Sequence, residues 1–207
     1  MSISPELQSR IQGIVDSAPT VLFMKGNPAT PQCGFSAQVV QVLNRLLPEY
    51  QTFDVLSDSD VREGVKEFSD WPTIPQLYVG GEFLGGCDIV KEMYDSGELH
   101  EALGMERAEL SAGEVEISIS AEAEQILRNA QQQQQAELHF GIDAKFQPFL
   151  GFGPAAGGEL RVPVGGLFFL LDRDSAARAR GASITVVDTE HGQRLDVDIP
   201  ASRAGGC

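Results

Sequence analysis

The chain has 207 residues, 42% apolar and 22% charged, the composition of an ordinary soluble protein. Its formal net charge of −15 argues against a general binder of nucleic-acid backbones, which needs a surplus of Lys and Arg. No apolar run approaches the ~20 residues of a membrane span. The first ten residues lack a signal peptide's apolar stretch, and three scattered cysteines (Cys33, Cys87, Cys207) do not form a disulfide framework. A cytoplasmic location with no membrane or nucleic-acid partner is therefore expected.

The elements then follow in order. Pro5 to Asp16 has Leu7, Ile11, Ile14 and Val15 on one side and reads as a helix. Thr20 to Met24 is a short buried strand. Phe35 to Leu47 is a helix stopped at Pro48. Gln51 to Leu56 is a strand, and Ser59 to Ser69 a helix with Asp60 in its first turn. Gln76–Val79 and Glu82–Leu84 form a hairpin about Gly80-Gly81. Cys87 to Ser96 starts a final helix that Glu98 to Leu103 continues. The order β-α-β-α-β-β-α with a mixed sheet is a small α/β design.

The texture changes near residues 104–114. Glu114 to Ser120 alternates with period two and reads as a strand. Ser120 caps a helix that runs to about Gln134, with the run Gln131–Gln135 as its solvated end. Leu138–Ile142, Glu159–Val164, Leu167–Leu171, Ser183–Val187 and Leu195–Ile199 are further strands. Pro148 to Gly158, rich in Gly and Pro, reads as a loop. Asp172 to Arg180 is a short helix ended by Gly181. Asp172 and Asp174 fit helix-start residues rather than a catalytic pair. His100, His139 and His191 have no metal-type spacing and read as surface or strand residues. Phe168 and Phe169 are expected to supply packing.

Three stretches carry chemistry. In the first, Asn27 to Val40, Cys33 stands where a helix begins, and Ser36 occupies the second position of a Cys-x-x-Cys motif. Helix amides and the helix dipole favour a thiolate there. Lys25 adds positive charge from the neighbouring loop, and Gly34 allows close approach. The alternative is a buried, inert thiol. In the second, Trp71 to Val79, Ile74-Pro75 precedes a central strand. A cis bond would free the Ile74 backbone for an extended peptide, whereas the residues alone favour trans, cis being about 5% of X–Pro bonds. In the third, Gly85 to Ile89, the amides of a Gly-Gly-Cys-Asp helix start suit a carboxylate, and Asp88 suits an ammonium or simply caps the helix. Cys87 reads as a packed residue rather than a second nucleophile. Carboxylate, ammonium and thiol on a short peptide describe glutathione.

Together M-K-G, C-G-F-S-A-Q, W-P-T-I-P-Q-L and G-G-C-D-I-V resemble the monothiol, CGFS-type glutaredoxins, over roughly residues 3–104. The resemblance implies a thioredoxin-like fold for a domain 1–107 and a cis Pro75. It implies glutathione contacts from Lys25, Arg62, Ile74, Cys87 and Asp88, with Arg62 complementing Lys25 at a carboxylate. It makes Cys33 both the reactive thiol and a ligand of a [2Fe–2S] cluster. Such a cluster wants four thiolates, and two chains with two glutathiones supply four, so the cluster would bridge a homodimer and no resolving cysteine is needed. Apo iron–sulfur proteins and BolA-type proteins are the implied partners. The runner-up is a glutathione-dependent oxidoreductase acting on mixed disulfides; a third reading is an iron-status regulator.

The second half, V-E-I-S-I-S-A-E-A-E-Q-I-L and G-G-L-F-F-L-L-D-R-D-S-A-A-R-A-R-G-A-S-I-T-V-V, resembles the HesB-like (A-type) iron–sulfur carriers, which implies a mostly-β domain over 114–201. That family's ligands are three cysteines. Gly141 to Gly158 contains none here, and the tail has only Cys207, so the fold is expected without the metal site, serving docking or dimerisation.

Overall fold

Four consecutive apolar residues, Val21 to Met24, need cover on both faces of a strand, and the first half of the fold is organised around them. The computed structural model describes residues 3–190 and 192–200. The chain divides into two units between Glu106 and Arg107.

In the first unit, α1 (Pro5–Val15), β1 (Thr20–Met24), α2 (Gly34–Leu46), β2 (Gln51–Asp54), α3 (Ser59–Phe68), β3 (Gln76–Val79), β4 (Glu82–Gly85), α4 (Cys87–Ser96) and α5 (Glu98–Ala102) follow one another. The sheet order is β2-β1-β3-β4. β1 runs parallel to β2 and antiparallel to β3, and β3 pairs antiparallel with β4. Alternation along β1 sends Leu22 and Met24 into one core with Val39 and Leu43 of α2 and Val90 of α4. Val21 and Phe23 enter a second core with Ile11 of α1 and Val61 and Val65 of α3. Phe23 meets Tyr78 edge-on at 5.5 Å, an arrangement worth about 0.5–1.5 kcal/mol beyond its area burial. Helices therefore cover both faces of the sheet because one strand is apolar on both sides.

Two expectations need correction here. Glu98–Ala102 is a separate helix, because Gly97 takes φ 96° and ends α4. His100 is buried at 2% exposure, with its ring stacked on Tyr94 at 5.7 Å, and is not a surface residue.

The second unit contains a 3-10 turn (Ala112–Glu114), β5 (Ile117–Ile119), α6 (Ala121–Gln134), β6 (Glu137–Ile142), β7 (Pro148–Gly153), β8 (Leu160–Val164), β9 (Leu167–Leu171), α7 (Arg173–Arg178), β10 (Ala182–Thr189) and β11 (Gly192–Asp198). Its sheets are ordered β7-β6-β9-β8 and β11-β10-β5. One core gathers Leu138 and Phe140 of β6, Phe169 of β9, Val162 of β8, Leu127 of α6 and Ile184 of β10. The unit is mixed α/β and sheet-rich. Ser120 caps α6 as expected, accepting from the Ala123 N–H, and Asp172 caps α7. Phe169 is core, whereas Phe168 is 47% exposed beneath the Arg161 guanidinium.

Two further expectations change. The strand read over Glu114–Ser120 shrinks to Ile117–Ile119, because Ser111 and Glu114 form a capping box that winds the preceding residues into a turn. The stretch read as a loop from Pro148 holds a strand over its first six residues, paired in continuous register with β6. Gly151 and Gly153 made it read as a loop; across the pair, Gly141 of β6 is covered by the Phe149 ring of this strand. His139 lies on β6 as expected. His191 and Cys207 lie outside the described residues. Among the described residues no helix is long and apolar enough to cross a membrane.

Candidate functional site

The site lies where the C-terminal end of β1, the start of α2, the β3 entry and the start of α4 meet. A cleft of about 550 Å³ is lined by Lys25, Cys33, Arg62, Ile74, Cys87 and Asp88, the six residues singled out from sequence, and also by Phe35, Lys66, Trp71, Thr73, Pro75 and Gly86.

Cys33 is the N-cap residue of α2, with extended backbone at φ −155°. No hydrogen bond of capping geometry closes on its sulfur. Its thiol is nevertheless lowered below the ordinary value, chiefly by the Ser36 amide, with the Phe35 amide, the Lys25 charge and the Ser36 hydroxyl helping and partial burial opposing. The helix start thus outweighs the lysine, since its amides are fixed and aimed while the lysine charge is solvated. Gly34 has open space around it, with nothing within 4 Å of where a Cβ would lie.

The loop that presents Cys33 is held by its own backbone. The Gln32 N–H donates to the Lys25 carbonyl at 2.9 Å. Asn27 Oδ1 accepts from the Ala29 N–H at 3.0 Å and the Thr30 N–H at 2.9 Å. Gly26 takes φ 81° and donates to Asp54 Oδ1 at 2.8 Å, and the same oxygen accepts from the Leu56 N–H at 2.9 Å. Asp54 therefore ties the Lys25–Gly26 turn to the segment leading to α3 and Arg62. Ser36, fully buried, accepts the Lys25 N–H on its hydroxyl at 3.2 Å. The residue standing where a resolving cysteine would be is thus a brace between α2 and β1.

The opposite wall is built by β3 and α4. The Ile74–Pro75 bond is cis, as the resemblance implies and against the trans form that the residues alone favour. Gly86 precedes α4, and a Cβ there would lie 3.0 Å from Trp71 Nε1, so a side chain at this position would crowd the indole. Cys87 is buried and packs with Leu22, Val39 and Val90. Its thiol is raised by burial, then by Asp88. Its Sγ contacts Gln38 Oε1 at 3.6 Å. Two thiols in one cleft therefore have opposite characters. Trp71 Nε1 and Arg62 Nε are buried on the cleft wall with no hydrogen-bond partner, and Arg62 Nε is 3.7 Å from Glu63 Oε1. Lys25, Arg62 and Lys66 make the cleft cationic, while Asp88 carries the opposite charge in the first turn of α4. Among the described residues no group of three or more His, Cys, Asp or Glu could hold a metal ion.

Sequence reading missed the bracing roles of Ser36 and Asp54 and the place of Trp71, Phe35 and Lys66. Ser36 was legible only as a missing cysteine, because a side chain's partner eleven residues away is a tertiary fact.

A glutaredoxin family model matches residues 20–84. A Synechocystis protein named as an uncharacterized monothiol glutaredoxin ycf64-like is 52% identical over 101 residues, covering 49% of this chain and 94% of its own length. Glutaredoxin 3 of Danio rerio is 52% identical over 94 residues, and the chain spans only 29% of that longer protein. The solution structure of reduced poplar apo GrxS14 is 48% identical and covers 50% of this chain and 95% of its own, with a TM-score of 0.45. The first unit has the thioredoxin-like glutaredoxin fold, and the family match lies within it. The chain belongs to the monothiol glutaredoxin family.

Proposed function

We propose that the chain is a glutathione-dependent carrier of [2Fe–2S] clusters, with the cluster as cargo bridging two copies. One observation carries the reading: the cleft holds a single lowered, accessible thiol, Cys33, beside a second, Cys87, that is buried and raised. A site built for internal disulfide exchange would want a second nucleophile where Ser36 is instead a buried brace.

The cleft suits glutathione by charge and shape. Lys25 and Arg62 would hold a carboxylate. The Ile74 backbone would meet an extended peptide. The amides at the start of α4, with Cys87 and Asp88, would hold the other carboxylate and the ammonium. Gly86 leaves the room that a side chain would fill, and Arg62 Nε, which makes no hydrogen bond within the protein although it lies 3.7 Å from Glu63 Oε1, can donate to a ligand. Bound there, glutathione supplies a second thiolate beside Cys33. Two chains and two glutathiones then meet the four-thiolate requirement, and no cluster of ligands within one chain is needed. Apo iron–sulfur proteins and BolA-type proteins are the expected recipients and partners, in the cytoplasm. A HesB-like domain without its cysteines, over 114–201 and following the glutaredoxin domain 1–107, completes the proposal.

A second reading is favoured by the lowered Cys33 thiol itself: attack on a glutathione mixed disulfide. Cys33 Sγ would bond to one sulfur of the disulfide while the other leaves as a thiolate.

Anaerobic reconstitution of wild type and Cys33→Ser separates the two. The carrier reading expects about two irons and two sulfides per dimer, the [2Fe–2S] stoichiometry, with bound glutathione and a visible spectrum in wild type and a colourless mutant. Colourless wild type would sink it and move the oxidoreductase reading to first place. A coloured mutant would place the cluster in the second unit.

A further inference from the structure

Each sheet ends in two rows of unpaired backbone groups, and proteins guard such edges with charge, proline, brevity or cover. Most edges of this chain are guarded. β2 and β4 have four residues each and carry Asp54 and Glu82. β5 has three residues. β11 carries Arg194, Asp196 and Asp198. β8 carries Arg161 and Pro163 and packs against the 3-10 turn and β5. β7, Pro-Phe-Leu-Gly-Phe-Gly, has none of these except a proline at its first position. It has six residues and no charged side chain, and it pairs with β6 along its whole length without a bulge. Among the described residues no other strand pairs with it. Phe149 is 48% exposed on the outer face, while Leu150 and Phe152 pack on the core.

We propose that β7 is a docking edge whose occupant is β7 of a second copy, antiparallel across a twofold axis, joining two four-stranded sheets into one of eight strands. One observation selects a second copy. The strand complements itself. A twofold axis through Gly151 sets residues of the same face opposite one another, Phe149 against Gly153 and Leu150 against Phe152. The first pair sets a glycine, which brings no side chain to clash, beside the Phe149 ring that already lies over Gly141 of β6. The second joins two apolar residues at the core's margin. The net charge of −15 opposes contact between copies over most of their surface, and β7, with no charged side chain, adds nothing to that repulsion. This dimer uses the second unit and neither Cys33 nor a cluster, so it goes beyond the carrier proposal and does not rest on it.

The test is sedimentation velocity of the metal-free full chain in reductant, on a Cys33→Ser background that removes any cluster bridge. The weight-average mass should rise from 22.3 kDa toward twice that value between about 1 and 100 µM, as suits a small interface. Amide exchange in 148–153 should slow over the same range. Gly151→Lys adds a side chain where nothing lies within 4 Å, so it should keep the circular dichroism and melting curve and remain at 22.3 kDa. The proposal is overturned by a monomer throughout, or by Gly151→Lys dimerising like its parent. It is equally overturned by a monomer whose 148–153 amides are protected at every concentration, which would assign the edge to the same chain.

Discussion

Ser36→Ala tests whether the serine is a brace or a vestige. The side chain is fully buried, and its hydroxyl accepts the Lys25 N–H at 3.2 Å. Alanine leaves that partly buried N–H without an acceptor, which costs about 1–3 kcal/mol. A domain of this size shifts its melting point by roughly 4–8 °C per kcal/mol, so a drop of at least about 4 °C is expected. The hydroxyl also helps lower the Cys33 thiol, so the pH midpoint for alkylation should move up. Thermal melting and iodoacetamide rates against pH, in the metal-free protein, read the two effects separately. An unchanged melting point and an unchanged midpoint would refute the brace. A lower melting point with the original midpoint would leave Ser36 a structural role only.

Other outcomes follow from the same geometry. Cys33 should alkylate well before Cys87 at neutral pH, since the first thiol is lowered by helix amides and the second raised by burial; mass mapping of the modified peptides checks the order. The folded-state pKa of Cys33 lies below its unfolded value, so its ionisation stabilises the fold above the unfolded pKa of about 8.5. That contribution is lost as pH falls through the folded pKa, and Cys33→Ser should flatten this part of the urea-stability profile. Lys25→Gln should raise the alkylation midpoint, but by less than the total lowering, because the Ser36 amide remains. Asp54→Ala frees the Gly26 and Leu56 amides. It should cost about 1–3 kcal/mol and weaken glutathione binding measured by calorimetry. Gly86→Ala drives a methyl to 3.0 Å from Trp71 Nε1, and should weaken the same binding while moving the melting point little.

The core strand, the helix starts and the cleft stretches around Cys33, Ile74-Pro75 and Cys87-Asp88 were legible in the sequence as local signals, whereas Arg62 came only with the family resemblance. Val21 to Met24 is apolar on both faces, so it had to be central. Cys33 precedes a helix, so its amides had to favour a thiolate. Gly80-Gly81 turns a hairpin with the chain in two residues. Motif spacing then carried the family resemblance. The tertiary structure alone decided what depends on distant neighbours. Ser36 became a brace because β1 brings Lys25 to it, and Asp54 became a tie because β2 ends beside Gly26. The strand at Pro148–Gly153 was hidden because Gly151, Gly153 and the Gly- and Pro-rich residues that follow read as a loop, and only pairing with β6 along its whole length makes it a strand. His100 was read as exposed because a short polar segment around it gives no sign that Tyr94 covers its ring. Local sequence fixes backbone preference and charge; only the folded chain decides which buried group meets which partner.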